Sequence, residues 1–178
     1  MSFTRQKKLP AYVDKKNFAF FQGLLGELEI KLSKPAKPIS KRLVNLIADP
    51  KAKIVSAKMD FQVTYESVGE TPPAVKNKRG KMVVPWERPI TEEELDLVVF
   101  RTKKIALTDD GDDPCLVVHW DASPARSFRV RDLAVVIAET EIETRSQAKW
   151  LGGVDVHHIF FEGMFLGKDG IWRVSWGS

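Results

Sequence analysis

The sequence VDVHHIFFEGMFLGKDGIWRVSW, residues 154–176, contains two strand-like segments on either side of the tetrapeptide GKDG. Asp169 and Gly170 favour a tight turn between them, because glycine adopts positive φ without a steric penalty. This stretch therefore predicts an antiparallel hairpin at the C-terminal end of the sequence.

The two predicted strands of this hairpin differ in their faces. The first is apolar on both, with one face formed by Ile159, Phe161 and Phe165 and the other by Val156, Phe160 and Met164. A strand that is apolar on both faces is expected at the centre of a sheet, covered on both sides. The second strand places Trp172, Val174 and Trp176 on one face, opposite Arg173 and Ser175.

More strands precede this hairpin. Residues 95–107 (LDLVVFRTKKIAL) and 115–121 (CLVVHWD) flank the acidic turn DDGDDP, and this pattern predicts a second hairpin. Residues 127–130 are expected to be extended. The apolar run at 132–139 fits either a short helix or a buried strand, because periodicity does not separate the two over so few residues.

The clearest one-sided strand lies at residues 53–67, where apolar and polar residues alternate. A long basic loop is predicted after it, at residues 69–90, with four prolines and several cations. Loops of this length in compact domains are usually functional or disordered. Thr91 and Glu94 then have the spacing of a capping box that begins one helical turn.

The N-terminal part predicts two helices. The first covers residues 11–32, where Phe18, Phe21, Leu25 and Leu28 recur at helical spacing. Residues 33–40 form a linker or extended arm containing prolines and lysines, because proline does not continue a helix. Ser40 is in the position of an N-cap for a second helix that Pro50 ends.

The composition is that of a globular protein, with 178 residues, 43% hydrophobic and 29% charged. We expect a single α+β domain over residues 1–178, with two N-terminal helices packed on a mainly antiparallel curved sheet that forms a barrel or a sandwich. No membrane association is expected, since the longest near-apolar stretch, residues 18–26, is far shorter than the roughly 20 residues of a membrane span. Cys115 is the only cysteine, and this favours a reducing, cytoplasmic compartment.

The charge is distributed unevenly along the chain. The total is only +4, but residues 1–90 contain 18 Lys and Arg against 8 Asp and Glu, a net charge of +10. Residues 91–178 contain 10 against 16, a net charge of −6. Such asymmetry indicates either an anionic partner for the first half or pairing between the two halves, within one molecule or between copies.

Catalytic chemistry has little support in the sequence. His119 and Asp121 share a strand face and would form the dyad of a small hydrolase-like enzyme, a remote alternative. His157 and His158 point to opposite faces of a strand, so they do not ligate one metal together. Acidic neighbours of Cys115 oppose a reactive thiolate. We therefore predict no catalytic residues, no metal site and no cofactor. Between an enzyme and a protein without catalytic activity, the sequence favours the second.

The basic loop carries the main functional prediction. Cations that contact phosphates, together with an aromatic ring that stacks on bases, are typical of proteins that bind single-stranded nucleic acid. The predicted nucleic-acid-binding residues are Lys76, Lys78, Arg79, Lys81, Trp86 and Arg88 in the loop, with Lys34, Lys37, Lys41 and Arg42 before it. Two alternatives stay open: a solvated loop whose Trp86 packs on the body, and an assembly or accessory subunit that docks its basic half on another protein or on its own copies.

Overall fold

The computed structural model describes residues 5–30, 57–63, 74–76, 78–83, 88–109, 117–145 and 160–177. It contains three helices and ten strands in these ranges. In chain order they are α1 (Lys15–Gln22), β1 (Leu24–Ile30), β2 (Ala57–Val63), β3 (Val75–Lys76), β4 (Met82–Val83), α2 (Glu92–Leu95), β5 (Val98–Phe100), β6 (Lys104–Asp109), β7 (Val118–Asp121), β8 (Phe128–Arg129), α3 (Val130–Arg145), β9 (Phe160–Leu166) and β10 (Trp172–Gly177).

The main sheet has six strands in the order β2-β1-β9-β10-β6-β7. The hairpin β9–β10 lies at its centre, as the apolar first strand predicts, and the second predicted hairpin is present as β6–β7. The single strand predicted at 95–107 is wrong, because Leu95 ends α2 and β5 pairs with β8, so only the part that begins at Lys104 pairs with β7. All neighbours are antiparallel except β10 and β6, which are parallel. Two further pairs, β3–β4 and β5–β8, lie outside this sheet.

A bulge in β9 changes which residues are buried. Ser175 pairs with Gly163 and the next residue, Trp176, pairs with Phe161, so β9 has one extra residue at this point. As a result Phe161 and Met164 are both buried, although strict alternation places them on opposite faces. Phe160 is 41% exposed, so the prediction that this strand is covered on both faces is wrong there.

The predicted first helix is shorter than expected. It covers only Lys15–Gln22, and Gly23 ends it by donating its N–H to carbonyl oxygens of the last turn. Leu24 begins a strand whose alternate residues are buried, so Leu25 is 40% exposed instead of lying on a helical core face. Pairing of β1 with both β2 and β9 outweighs a helical pattern that two glycines already weaken.

Aromatic side chains form the core on one side of the central strands. The Trp172 ring stacks on Phe100 of β5 with centroids 4.7 Å apart, and Phe18 of α1 lies 5.3 Å from Trp172. Phe21 of α1 lies 5.3 Å from Phe161 of β9. Helix α1 therefore takes part in two aromatic clusters on the sheet, and the cluster around Trp172 also holds the β5–β8 pair through Phe100.

Helix α3 resolves the ambiguous run at 132–139. It is a helix of sixteen residues, and Leu133, Val136 and Ile137 are buried at helical spacing. The helix packs across the sheet from β2 to β6. The buried Trp120 indole of β7 donates a hydrogen bond of 2.9 Å to the Thr140 hydroxyl, which fixes the helix to that end of the sheet.

The sheet is not closed within the described residues, so the barrel, one of the two predicted forms, is wrong, while a mixed α and β fold with a mainly antiparallel sheet is confirmed. Within the described ranges β2 and β7 are the two opposite edges and do not pair with each other. Helix α3, rather than closure of the sheet, fills the core. The arm at 33–40 and the predicted second helix lie outside the described residues, so α1 is the one N-terminal helix of the predicted two that the structure describes.

Candidate nucleic-acid interface

Part of the predicted basic loop is a short two-stranded ribbon. Val75 pairs with Val83 and Lys76 pairs with Met82, in antiparallel register. Gly80 lies in the turn with φ of 75°, in the left-handed region that glycine adopts most readily. We call residues 74–76 and 78–83 the basic hairpin.

The cations of the basic hairpin lie at the surface. Among its residues whose burial is described, every one is exposed: Ala74, Lys76, Lys78, Arg79, Gly80, Lys81 and Met82. The sequence from 74 to 83 contains four cations and no acid. The fold therefore concentrates positive charge on one exposed element.

The segment that carries the basic hairpin is closed at its base. Gln62, near the end of β2, pairs with Pro89 through an isolated β-bridge. Residues 62 and 89, which lie on either side of the basic hairpin in the sequence, are therefore paired at the edge of the sheet. This pairing makes the intervening segment an insertion on the edge strand β2.

Arg88, the last predicted binding residue of the loop, is engaged in the cap of α2. Its guanidinium makes two hydrogen bonds to the Glu94 carboxylate, of 2.8 and 2.6 Å. Glu94 also completes the predicted capping box with Thr91, which is confirmed. Hydrogen bonds from Arg88, supported by those from Thr91, lower the pKa of Glu94 to about 2. Arg88 therefore anchors the returning chain, and its contact with nucleic acid stays a prediction.

The structure does not describe the other predicted binding residues. Trp86, Lys34, Lys37, Lys41 and Arg42 all lie outside the described residues. Their contribution to a binding surface stays a prediction from the sequence.

The remote catalytic alternative has its two residues on β7. His119 is exposed, and the Asp121 carboxylate accepts a hydrogen bond of 2.8 Å from the Ser123 backbone N–H. Hydrogen bonds from Ser123 lower the pKa of Asp121, and Lys104 lies 3.8 Å from the same carboxylate. Asp121 is thus held by Ser123 and Lys104, and nothing in these contacts orients the His119 ring.

The remaining sequence candidates fall elsewhere. Cys115, His157 and His158 lie outside the described residues. Where the chain is described, no three His, Cys, Asp or Glu side chains come together as metal ligands do. None of the described helices is long and apolar enough to cross a membrane.

The structure contains a second charged surface that the sequence pattern did not predict. On β1 and β2, Glu27 and Asp60 are exposed and directly paired, and Glu27 also pairs with the exposed Phe160 of β9. Leu25 of β1 and Glu162 of β9 are exposed as well. We call these five residues the acidic face: Leu25, Glu27, Asp60, Phe160 and Glu162. The sequence signal for the acidic face is the alternation of buried and exposed positions that starts at Leu24. The helical spacing of apolar residues between 18 and 28 hides this alternation.

Comparison with known proteins assigns neither surface: no protein-family model, no curated protein and no solved structure matches this chain.

Proposed function

We propose that this protein binds nucleic acid, that it does so without catalysing a reaction, and that the basic hairpin is its principal contact. The observation that supports this most is the exposure of Lys76, Lys78, Arg79 and Lys81 on one short ribbon that contains no acid. Lysine and arginine that neutralise phosphates release bound counterions, and this release supplies most of the affinity for a polyanion. From the sequence, we include the cations at 34–42 and Trp86 among the proposed binding residues.

The position of the hairpin supports the proposal. Its described side chains are exposed, so cation side chains at this site are not needed to fill the core. The bridge between Gln62 and Pro89 and the Arg88–Glu94 ion pair fix the base of the insertion. An element anchored at its base and charged along its length presents its cations to a ligand without unfolding the sheet.

The proposal is tested with fluorescently labelled oligonucleotides, both single-stranded and duplex, by fluorescence anisotropy. We expect the double variant K76A/K78A to bind at least about tenfold more weakly than the wild type at moderate salt, because two phosphate contacts are lost. Equal affinity of variant and wild type, or no binding of either oligonucleotide by the wild type, would overturn the proposal.

A matched control removes two lysines from other elements. Lys103 lies between β5 and β6 and Lys168 in the turn after β9, and both are exposed. The K103A/K168A variant is expected to bind within about twofold of the wild type, although it loses the same charge. The free energy of unfolding of both double variants is expected to lie within about 0.5 kcal/mol of the wild-type value, as is usual for surface substitutions.

The acidic face favours a second candidate function, an accessory subunit that associates with its own copies. It exposes Glu27, Asp60 and Glu162 beside two apolar side chains, Leu25 and Phe160. The basic hairpin of one copy has the complementary charge. An association of this kind is strengthened at low salt and screened at high salt.

Light scattering after nuclease treatment tests this second candidate. Self-association through the two charged surfaces predicts a mass above 20.1 kDa at low salt that returns to 20.1 kDa at high salt. A mass of 20.1 kDa at every salt concentration would contradict it.

A further inference from the structure

We infer that the ligand of the basic hairpin is duplex DNA and that the hairpin enters the major groove. This inference rests on the proposed nucleic-acid binding and adds the class of nucleic acid. It departs from the single-stranded ligand that the sequence favours, because the structure shows an ordered ribbon where the sequence shows a long loop.

The width of the ribbon suits one groove. Neighbouring strands lie about 4.8 Å apart, and the major groove of B-form DNA, about 12 Å wide, admits a two-stranded ribbon with its side chains. The minor groove is about half as wide. The major groove of duplex RNA is too deep and narrow for side chains to read.

The side chains of the ribbon fit a groove better than a stacked base. Single-strand binding relies on aromatic rings, and the aromatic residue proposed for this surface, Trp86, is not part of the basic hairpin. Lys76 and Met82 are register partners and therefore project on the same face. The ribbon thus presents a cation for a phosphate next to a flexible apolar side chain.

Met82 is the most exposed of the large hydrophobic side chains in the described ranges. Its exposed fraction is 55%, compared with 40% for Leu25 and 41% for Phe160. Its unbranched thioether adapts to irregular surfaces. In the major groove the apolar feature of a base edge is the methyl group of thymine. We therefore assign Met82 to contact thymine methyl groups while the neighbouring cations contact the backbone.

The experiment compares four nucleic acids of one A·T-rich sequence: duplex DNA, its single strand, duplex RNA, and duplex DNA with uracil in place of thymine. We expect the wild type to bind the DNA duplex at least about tenfold more tightly than the single strand or the RNA duplex. Replacing thymine by uracil is expected to weaken binding about threefold to fourfold, because one buried methyl contact is lost.

The M82A variant is expected to bind the thymine and uracil duplexes equally, and the control K103A/K168A, which lies outside both surfaces, to retain the difference. Tighter binding to the single strand or the RNA duplex, or the same thymine dependence in M82A and wild type, would overturn the duplex inference and leave nucleic-acid binding standing. Failure to bind any of the four would overturn the proposed function itself.

Discussion

Gln22 and Gly163 together hold the bulge of the central strand. The Gln22 side chain accepts a hydrogen bond of 2.8 Å from the Met164 N–H and donates one to the Met164 carbonyl oxygen. Gly163 has φ of 127°, and a Cβ at this position would collide with the Gln22 amide oxygen. The bulge allows Phe161 and Met164 to be buried on the same side of β9. Gln22 and Gly163 therefore determine which side chains of this strand are buried.

Replacing Gly163 by alanine is expected to lower the free energy of unfolding by about 2 to 3 kcal/mol, because a side chain is strained at this φ and also meets Gln22. Urea denaturation measures this loss. The matched control is G170A in the β9–β10 turn, where φ is 81° and the added Cβ meets no atom within 4 Å. The free energy of unfolding of the control is expected to fall by about 1 kcal/mol. Equal decreases in the two variants would show that the contact of Gly163 with Gln22 does not stabilise the bulge.

Glu94 makes stability depend on pH. Its pKa is lowered from 4.5 to about 2 by Arg88 and Thr91, so the folded protein binds a proton there less readily than the unfolded chain. Its contribution to stability is therefore fully present above pH 4.5 and is lost as the pH falls towards 2.

The E94Q variant keeps the size of the side chain and the capping geometry but removes this titration. We expect it to be less stable than the wild type near neutral pH, with the difference shrinking between pH 4.5 and 2. Urea midpoints measured across this range give the comparison. A difference that stays constant with pH would show that the Arg88–Glu94 pair does not contribute through its charge.

The hydrogen bond between Trp120 and Thr140 fixes α3 to the β6–β7 end of the sheet. Both side chains are almost fully buried, so an indole N–H that loses its acceptor is costly. We expect T140V, which keeps the shape of the side chain, to lower the free energy of unfolding by about 1 to 3 kcal/mol in urea denaturation.

The T108V variant is the matched control for this prediction. Thr108 is also buried, but its hydroxyl has no hydrogen-bond partner among the described residues. Its replacement by valine is expected to be neutral or stabilising, since no hydrogen bond is lost. If T140V is as stable as T108V, the Trp120 hydrogen bond does not hold α3 in place.

Local patterns predicted individual elements well where one signal acted alone. The Asp169–Gly170 turn, the Thr91–Glu94 capping box and the β6–β7 hairpin are all confirmed. The prediction was wrong where a helical period runs directly into the two-residue period of a strand. Phe18 and Phe21 belong to a helix, whereas Leu25 belongs to a strand. Only the pairing of β1 with two other strands, which is a long-range contact, decides between them.

In the molecule as a whole, the sequence predicted the class of fold and the central position of β9, but not the openness of the sheet. Closure depends on what covers the core, and Leu133, Val136 and Ile137 of α3 cover it here. The candidate site was predicted as a charged segment, whereas its ribbon geometry and the exposure of Met82 depend on strand pairing that the sequence pattern does not specify. The acidic face was missed for the same reason.

The salt dependence of duplex DNA binding separates a specific role of the basic hairpin from a diffuse attraction to the chain's positive half. A plot of the logarithm of the association constant against the logarithm of salt concentration has a slope of about −0.9 for each phosphate neutralised. If Lys76, Lys78, Arg79 and Lys81 each contact a phosphate, replacing all four by alanine makes this slope shallower by about 3 to 4. An unchanged slope in the quadruple variant would contradict the proposed role of the hairpin, and a wild type that does not bind duplex DNA at low salt would contradict the assignment of duplex DNA as its ligand.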